Sequence, residues 1–306
     1  MIDVVDLTKK FGDITAVEGL SFHIDDGEVF GFLGPNGAGK TTTMRILCCL
    51  ISKTNGEARI AGYDTANSAD ALKIRKMIGL VPDNVGLYDE LSAYDNLDYY
   101  GKLYECTASQ RKANIERFLR MMDLWKQKDQ PVGDFSKGMK QKAAIARALI
   151  HDPRLLFFDE PTANLDPESA RVVTDLILEL KGKGRTIFLN THDLNEAQKI
   201  CDRIGILKTR LLTVSTPEQL RRSVWGNRTV FQLKEINDRI LSAVRTLTAR
   251  NFTVEGNRIL VDIADPIEEN PAFVRALVLA GGDIQAVTQL APDLEETYLR
   301  VIREAQ

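Results

Sequence analysis

The chain has 306 residues, 44% of them hydrophobic, which is enough to bury one large core or two ordinary ones and excludes a chain dominated by disorder. Lys plus Arg total 40 against 43 Asp plus Glu, for a net charge of -3, so the balance argues against a general nucleic-acid binder and no nucleic-acid partner is expected. Four cysteines without C-x-x-C spacing and three scattered histidines make a zinc framework improbable and point to free thiols in a reducing compartment.

In chain order, the opening "MIDVVDLTKKFGDITAV" carries acidic residues where a secretory leader needs a basic start and an apolar stretch, so the mature chain is expected to begin here. Short apolar runs rich in Val, Ile and Phe then alternate with longer stretches of helical period. They are "EVFGFLG" at 28–34, "GKTTTMRILCCLI", "PRLLFFDE" at 153–160, "ESARVVTDLILELKGKG" and "RTIFLNTHD". That alternation predicts an α/β core whose strands are buried on both faces. Between about 88 and 150 the strands vanish, and "DELSAYDNLDYYGKLY" and "ASQRKANIERFLRMMDL" have helical spacing, so a helical subdomain is expected to interrupt the core.

After "STPEQLRRSVWGN", with Pro217 and the Gly226-Asn227 pair, the pattern changes. The expected organisation is a large domain over 1–215, a linker over 216–227 and an accessory α+β domain over 228–306. The accessory domain reads as a strand "RTVFQL", a helix around 236–250, strands "FTVE" and "RILVDIA", a helix around 271–280 and a strand "DIQAVTQ". That order, βαββαβ, is the ferredoxin-like plan. Its role reads equally as dimerisation or regulation and as a packing appendix without a ligand. No apolar run approaches the roughly 18 to 20 residues needed to span a bilayer, so a membrane process served by this chain would need another polypeptide to cross.

Gly34, Gly39, Lys40 and Thr41 fill the pattern G-x-x-x-x-G-K-[ST] between a predicted strand and a predicted helix, the context that a phosphate-binding loop requires. Glycines let backbone N–H groups close on phosphate oxygens, the helix N-terminus adds a favourable dipole, Lys40 neutralises the outer phosphates, and the Thr41 hydroxyl can ligate magnesium. Further on, "RLLFFDEP" ends an apolar strand in Asp159 and Glu160, where a carboxylate faces the same crevice. Asp159 can hold the magnesium shell through water. Glu160 is placed to orient or deprotonate an attacking water, because phosphoryl transfer needs positioning and charge compensation more than covalent help. A solvated Asp-Glu pair is the plain alternative, and the phosphate loop outweighs it. A second stretch, "FSKGMKQKAAIARALI" at 135–150, looks like another cradle: Ser136 offers a hydroxyl and a backbone N–H at a helix start, and Gly138 permits close approach. An ordinary serine cap with solvated lysines is the alternative there.

Taken in order, "GPNGAGKTT", "FSKGMKQK", "LLFFDEPTANLDP" and "NTHD" resemble the motifs of the nucleotide-binding subunit of an ATP-binding cassette (ABC) transporter, over roughly residues 1–215. The resemblance implies an α/β P-loop NTPase core (ABC ATPase) with an inserted helical subdomain, followed by the small α+β ferredoxin-like domain. It implies an ATPase that uses ATP and Mg2+. Gly34, Pro35, Asn36, Gly37, Ala38, Gly39, Lys40, Thr41 and Thr42 would wrap the phosphates, Phe11 would stack on adenine, and Val17 would lie beside the nucleotide. Phe11, near a first strand, is on its own about as often simple core. Glu160 and His192 are implied as catalytic, His192 as the switch that contacts the γ-phosphate, and Thr41, Asp83 and Asp159 as metal ligands.

Phe135 to Met139 stand where the family most often has Leu-Ser-Gly-Gly-Gln. The resemblance implies that Ser136, Gly138 and Met139 meet the γ-phosphate of ATP held by another subunit, and that Ala163 to Asp166 couple the two sites, which adds Asp166 to the nucleotide set. Asp83 stands where the family usually has glutamine. Both side chains offer magnesium an oxygen, but the carboxylate adds charge and loses a donor.

The function so implied is an ATP-hydrolysing subunit of the exporter branch, favoured by the accessory domain and its ending "LEETYLRVIREA". Its expected partners are separately encoded transmembrane permease subunits and a second cassette in a head-to-tail homodimer or a heterodimer with a related subunit. Its expected location is cytoplasmic, peripheral at the cytoplasmic face of the cell membrane. The rivals are an importer subunit and a soluble mechanical ATPase of DNA repair or chromosome organisation. The latter usually carries a coiled coil or zinc modules between the phosphate loop and the second cradle, and neither is read here.

Overall fold

Strand β3 (Val29–Leu33, "VFGFL") is buried at every position, and so are β7 (Leu155–Asp159, "LLFFD") and β8 (Thr186–Asn190, "TIFLN"). A strand apolar at consecutive positions has no solvent face and must lie inside a sheet covered on both sides. The computed structural model of the chain describes residues 1–82, 86–163, 165–220, 227–247, 252–290 and 294–304, and divides them into two units, Met1–Thr216 and Pro217–Gln306.

In the first unit, β3, β7 and β8 join β6 (Ile78–Val81), β9 (Arg203–Lys208) and β10 (Arg210–Ser215) in a sheet of order β10-β9-β3-β8-β7-β6. All its pairs are parallel except the edge pair of β9 with β10. Helices α1 (Lys40–Leu47), α2 (Ser68–Met77), α6 (Pro167–Gly182) and α7 (Leu194–Ile200) alternate with these strands. The register matters for function: Phe32 pairs with Asn190 and Asp159 with Asn190, so the C-terminal ends of three neighbouring strands open at one edge.

A second, antiparallel sheet of order β2-β1-β4-β5 is formed by β1 (Ile2–Phe11), β2 (Ile14–Ile24), β4 (Asn55–Ile60) and β5 (Tyr63–Asp64). Phe22 of β2 stacks on Phe30 of β3 with centroids 5.6 Å apart and 7° between planes, joining the two sheets through one apolar core with Phe32, Phe157 and Phe188. This sheet is absent from the sequence expectations above. Bulges interrupt the β1–β2 ladder between Val4 and Leu7, Leu7 and Lys9, and Lys9 and Lys10, and Asp6 takes φ 49. Each irregularity breaks the period of two that marks a half-buried strand.

Between Ala93 and Leu149 the described elements are helices, α3 (Ala93–Leu103), α4 (Ala108–Met121) and α5 (Lys137–Leu149), with two short 3-10 turns. Each helix starts behind a hydroxyl cap. Ser92 accepts from Asp95 N–H at 3.0 Å, Thr107 forms a reciprocal box with Gln110, and Ser136 accepts from Met139 N–H at 3.2 Å.

The second unit holds β11 (Asn227–Leu233), α8 (Asp238–Leu247), β12 (Phe252–Glu255), β13 (Arg258–Ile263), α9 (Pro266–Leu279), β14 (Ile284–Leu290) and α10 (Leu294–Glu304). Its sheet is wholly antiparallel with order β12-β13-β11-β14, the ferredoxin-like arrangement, and Phe231 stacks on Phe273 at 5.6 Å in its core. Helix α9 begins five residues before the expected 271. Asp265 caps the N–H groups of Ile267 and Glu268, Pro266 takes the first helical position, and Pro271 lies inside the helix. Residues 248–250 of the expected first helix lie outside the described residues. Among the described residues no helix is long and apolar enough to cross a membrane.

Candidate active site

The chain leaves β3 through Gly34 to Gly39 and enters α1 at Lys40. Gly39 adopts φ 100, and a Cβ there would come within 2.5 Å of the Ala16 carbonyl oxygen, so both conformation and space demand glycine. No side chain caps the N-terminus of α1. Its first N–H groups therefore remain donors for an anion. Lys40, buried at the helix start, folds back so that Nζ donates to the carbonyls of Gly34 at 2.6 Å and Pro35 at 3.3 Å. Burial pushes its pKa down, while the Glu160 and Asp159 carboxylates pull it back up.

At the end of β7, the buried Asp159 accepts through Oδ1 from Asn190 Nδ2 at 3.0 Å and from Thr41 Oγ1 at 3.3 Å. Glu160 follows in the left-handed region, φ 52, with its N–H on the Asn190 carbonyl at 2.9 Å. That turn is uncommon for a residue with a side chain. It leaves Glu160 Oε2 2.6 Å from Nδ1 of His192, whose own side chain is 67% exposed and so is not held there by packing.

These groups surround one cavity of about 660 Å3. Asn36, Gly37, Ala38, Gly39, Lys40, Thr41 and Thr42 line it together with Asp159, Glu160, Ala163 and His192, and so do Phe11 and Ala16. Phe11 is 50% exposed with Lys9 Nζ 4.7 Å from its ring centre, which rules out the reading of Phe11 as core. Gly34 and Pro35 touch Lys40 through their carbonyls rather than lining the space.

Val17 does not line it either: it is fully buried, and its Cγ2 would lie 3.0 Å from a Cβ on Gly39. The reason is a bulge. Lys9 pairs with Val17 and Lys10 with Thr15, leaving Ala16 as the extra residue that turns to the cavity. Arg45, also on the wall, was missed in the sequence, although it lies one helical turn after Thr41 and that spacing carries the signal.

Ser136, Gly138, Met139 and Asp166 are not among the residues lining this cavity. They form a second group. Ser136 is exposed at the start of α5, and Gly138 is buried against α6, where a Cβ would lie 3.0 Å from Ser169 Oγ and 3.5 Å from Asp166 Oδ2. Asp166 caps α6 by accepting from Ser169 N–H at 2.9 Å, a bond that holds its carboxyl below the ordinary range. Asp83 lies outside the described residues, as does residue 164 of the 163–166 loop.

Comparison with known proteins gives the arrangement relatives. Residues 17–163 match the family model described as ABC transporter. Over 296 residues the chain is 34% identical to the daunorubicin resistance ATP-binding protein DrrA3 of Streptomyces coeruleorubidus, covering 96% of this chain and 93% of that protein. Over 310 residues it is 32% identical to the linearmycin resistance ATP-binding protein LnrL of Bacillus subtilis (strain 168), covering 98% of each. Among solved structures, the ATP-binding subunit of an ABC transporter matches with TM-score 0.68 and 30% identity, over 74% of this chain and 94% of that one. A dimeric ATP-binding cassette in a post-hydrolysis state with ADP and Pi matches with TM-score 0.65 and 29% identity, over 71% of this chain and 98% of that one.

Proposed function

The chain belongs to the ATP-binding subunits of ABC transporters, and on that premise we propose that its two groups of site residues are complementary halves of one hydrolytic site shared between two subunits. The protein is an ATPase whose turnover drives transport of the exporter type. The observation that carries the shared-site reading is the division itself. Lys40, Thr41, Asp159, Glu160 and His192 converge on one cavity, while Ser136 stands exposed outside it at a helix N-terminus.

In this reading the open N-terminus of α1 and Lys40 bind the phosphates of ATP, Lys40 giving up its carbonyl partners for the outer phosphates. Thr41 Oγ1 and Asp159 Oδ1, 3.3 Å apart, are hard oxygen donors that fit Mg2+, with Asp83 as a further ligand. When bound, the ion neutralises charge on the outer phosphates. Asn190 holds Asp159 in place, Glu160 accepts the proton of the attacking water, and His192 orients Glu160 and contacts the γ-phosphate. Phe11 stacks on the base. Ser136 and Gly138 of a second subunit close over the γ-phosphate, so that ATP joins two cassettes head to tail in a closed twofold arrangement. ATP holds them better than ADP because only ATP presents that phosphate.

Separately encoded permease subunits would receive the stroke, which leaves this chain peripheral at the cytoplasmic face of the membrane. The export and resistance names of its relatives support cargo leaving the cell. The test is complementation. Lys40→Ala and Ser136→Arg subunits are each inactive alone, and their mixture regains partial hydrolysis because one of the two sites in a mixed dimer holds neither lesion. No rescue, together with a strictly monomeric ATP-bound Glu160→Gln protein in light scattering, would overturn the shared site. For the metal, Asp83→Gln retains much of the activity, whereas Asp83→Leu lowers it and raises the magnesium requirement. Equal metal dependence in both variants removes Asp83 from the ligand set.

A further inference from the structure

The Glu160–His192 approach of 2.6 Å joins two segments that leave neighbouring strands, and the strand ladder ends just short of both residues. Past the Glu160 N–H on Asn190, one described hydrogen bond ties the segment after Glu160 to the helix after His192. Thr162, two residues beyond Glu160, donates through Oγ1 to Glu196 Oε1 at 2.9 Å. Glu196 lies in the first turn of α7, one turn beyond His192 and only 6% exposed. Asp193 orients that turn. Its carboxylate accepts from the N–H groups of Asn195 and Glu196 at 2.8 and 3.1 Å, and its own N–H donates to Thr191 Oγ1 at 3.0 Å.

We propose that Glu196 is a positioning residue for hydrolysis: through Thr162 it sets the approach of Glu160 to His192 from outside the cavity that those two residues line. The inference rests on the reading of Glu160 and His192 as the hydrolytic pair. A buried carboxyl is a costly choice where an apolar side chain would pack, and Oε2 of Glu196 is buried with no hydrogen-bond partner among the described residues. Burial raises the Glu196 pKa, with the Asp193 and Glu160 carboxylates acting in the same direction and the Thr191 and Thr162 hydroxyls against it. A group held in that state for no local gain in packing fits a directional role, as acceptor for the Thr162 hydroxyl on the Glu160 segment, with the Thr191 hydroxyl beside His192 also acting on it. His192 is largely exposed and Glu160 sits in an uncommon backbone turn, so small displacements of either segment would open their contact. Misplacement on the order of 1 Å can cost about 100-fold in rate.

The test uses the full chain with Glu196→Leu, Glu196→Gln, Thr162→Val and the Glu196→Leu/Thr162→Val pair, reading kcat, KM, ATP affinity and thermal midpoint. Glu196→Leu and Thr162→Val should each lower kcat by ~10-fold or more and leave ATP affinity within about twofold, since only the hydrolytic geometry is disturbed. Glu196→Gln keeps the acceptor oxygen and should restore kcat to within about threefold of the unaltered protein. The double variant should lose no more than the worse single one, because both changes break the same bond. In a Glu160→Gln background, Glu196→Leu should cause no further loss.

Normal kcat in Thr162→Val, or a glutamine variant as impaired as leucine, overturns the proposal even if Glu196→Leu fails to fold. So do additive losses, or losses that follow ATP affinity or thermal midpoint. Near-normal turnover in Glu160→Gln alone would instead strike the assignment of the hydrolytic pair. Inactive Glu160→Gln with fully active Thr162→Val and Glu196→Leu would strike only this inference.

Discussion

Helices α1 and α5 both begin at a glycine-bearing turn beside a lysine, yet their N-termini are treated in opposite ways. Helix α1 starts behind Gly39 without a side-chain cap, opens on a cavity lined by its own chain, and keeps its N–H groups free. Helix α5 starts behind Ser136, whose hydroxyl already accepts from Met139 N–H, and Ser136 and Lys137 at its start are exposed. A helix left uncapped beside a cavity keeps part of its binding capacity for a ligand. A capped one already spends a donor within its own chain, and an anion reaching it must come from outside and share its donors. The same local chemistry thus becomes a primary site in one place and a surface offered to a partner in the other.

The sharpest test of that contrast is Glu160→Gln, which keeps the shape of the α1 site and removes its base. Turnover should fall by roughly 1000-fold with ATP affinity intact, and the stalled protein should gather as dimers in which α5 of one subunit meets ATP on α1 of the other. Near-normal hydrolysis would place the base elsewhere. The next largest effect belongs to Gly39→Ala. With φ at 100 and the Ala16 carbonyl 2.5 Å from the new methyl, the loop must deform, and ATP affinity in a nucleotide titration should fall by about 100-fold, or ~2.7 kcal/mol. A change of only a few fold would mean that the open N-terminus of α1 is not the anchor.

At the far end of α5, His151 donates through Nε2 to the Ile78 carbonyl at 3.0 Å and stacks on Tyr104 with centroids 3.7 Å apart. Burial lowers its pKa to about 4 from an ordinary 6.5. Between those values the unfolded chain binds a proton that the folded chain does not, so stability present above pH 6.5 is lost as pH falls through the window and levels off below pH 4. The slope approaches ~1.4 kcal/mol per pH unit, and His151→Phe should flatten that limb of a denaturant-midpoint profile. An unchanged profile would remove His151 as its source. The smallest effect is that of Ser136→Ala. It removes the cap at a cost of about 1 kcal/mol in stability, leaves ATP binding within about twofold, and lowers turnover only where two subunits meet. Weakened ATP binding in the isolated subunit would erase the distinction between the two helix starts.

Much of this was legible in residues that act through their neighbours in the chain. Phosphate loops need glycine at specific steps, a lysine and a hydroxyl within a few residues, and a buried strand before them, so Gly34 to Thr42 declare themselves without any long-range contact. The same holds for Asp159 and Glu160 at the end of "LLFF" and for the βαββαβ order of the second unit, where alternation and turn residues are local signals. The antiparallel sheet of the first unit was not legible, because its bulges and the left-handed Asp6 erase the period by which a strand is recognised.

What the sequence determined by itself is therefore the chemistry offered at each loop, since residue type and local backbone suffice for that. Only the tertiary structure decided which loops share a cavity and which residue of a strand faces it. A bulge advances the register by one residue, so Ala16 rather than Val17 reaches the wall. Asn190 meets Asp159 across 31 residues of sequence, and Glu196 meets Thr162 across 34. No local pattern encodes such pairs. They exist because parallel strands β7 and β8 lie side by side and open at the same edge, and that adjacency is a property of the packed sheet, set by the burial of its apolar strands as a whole.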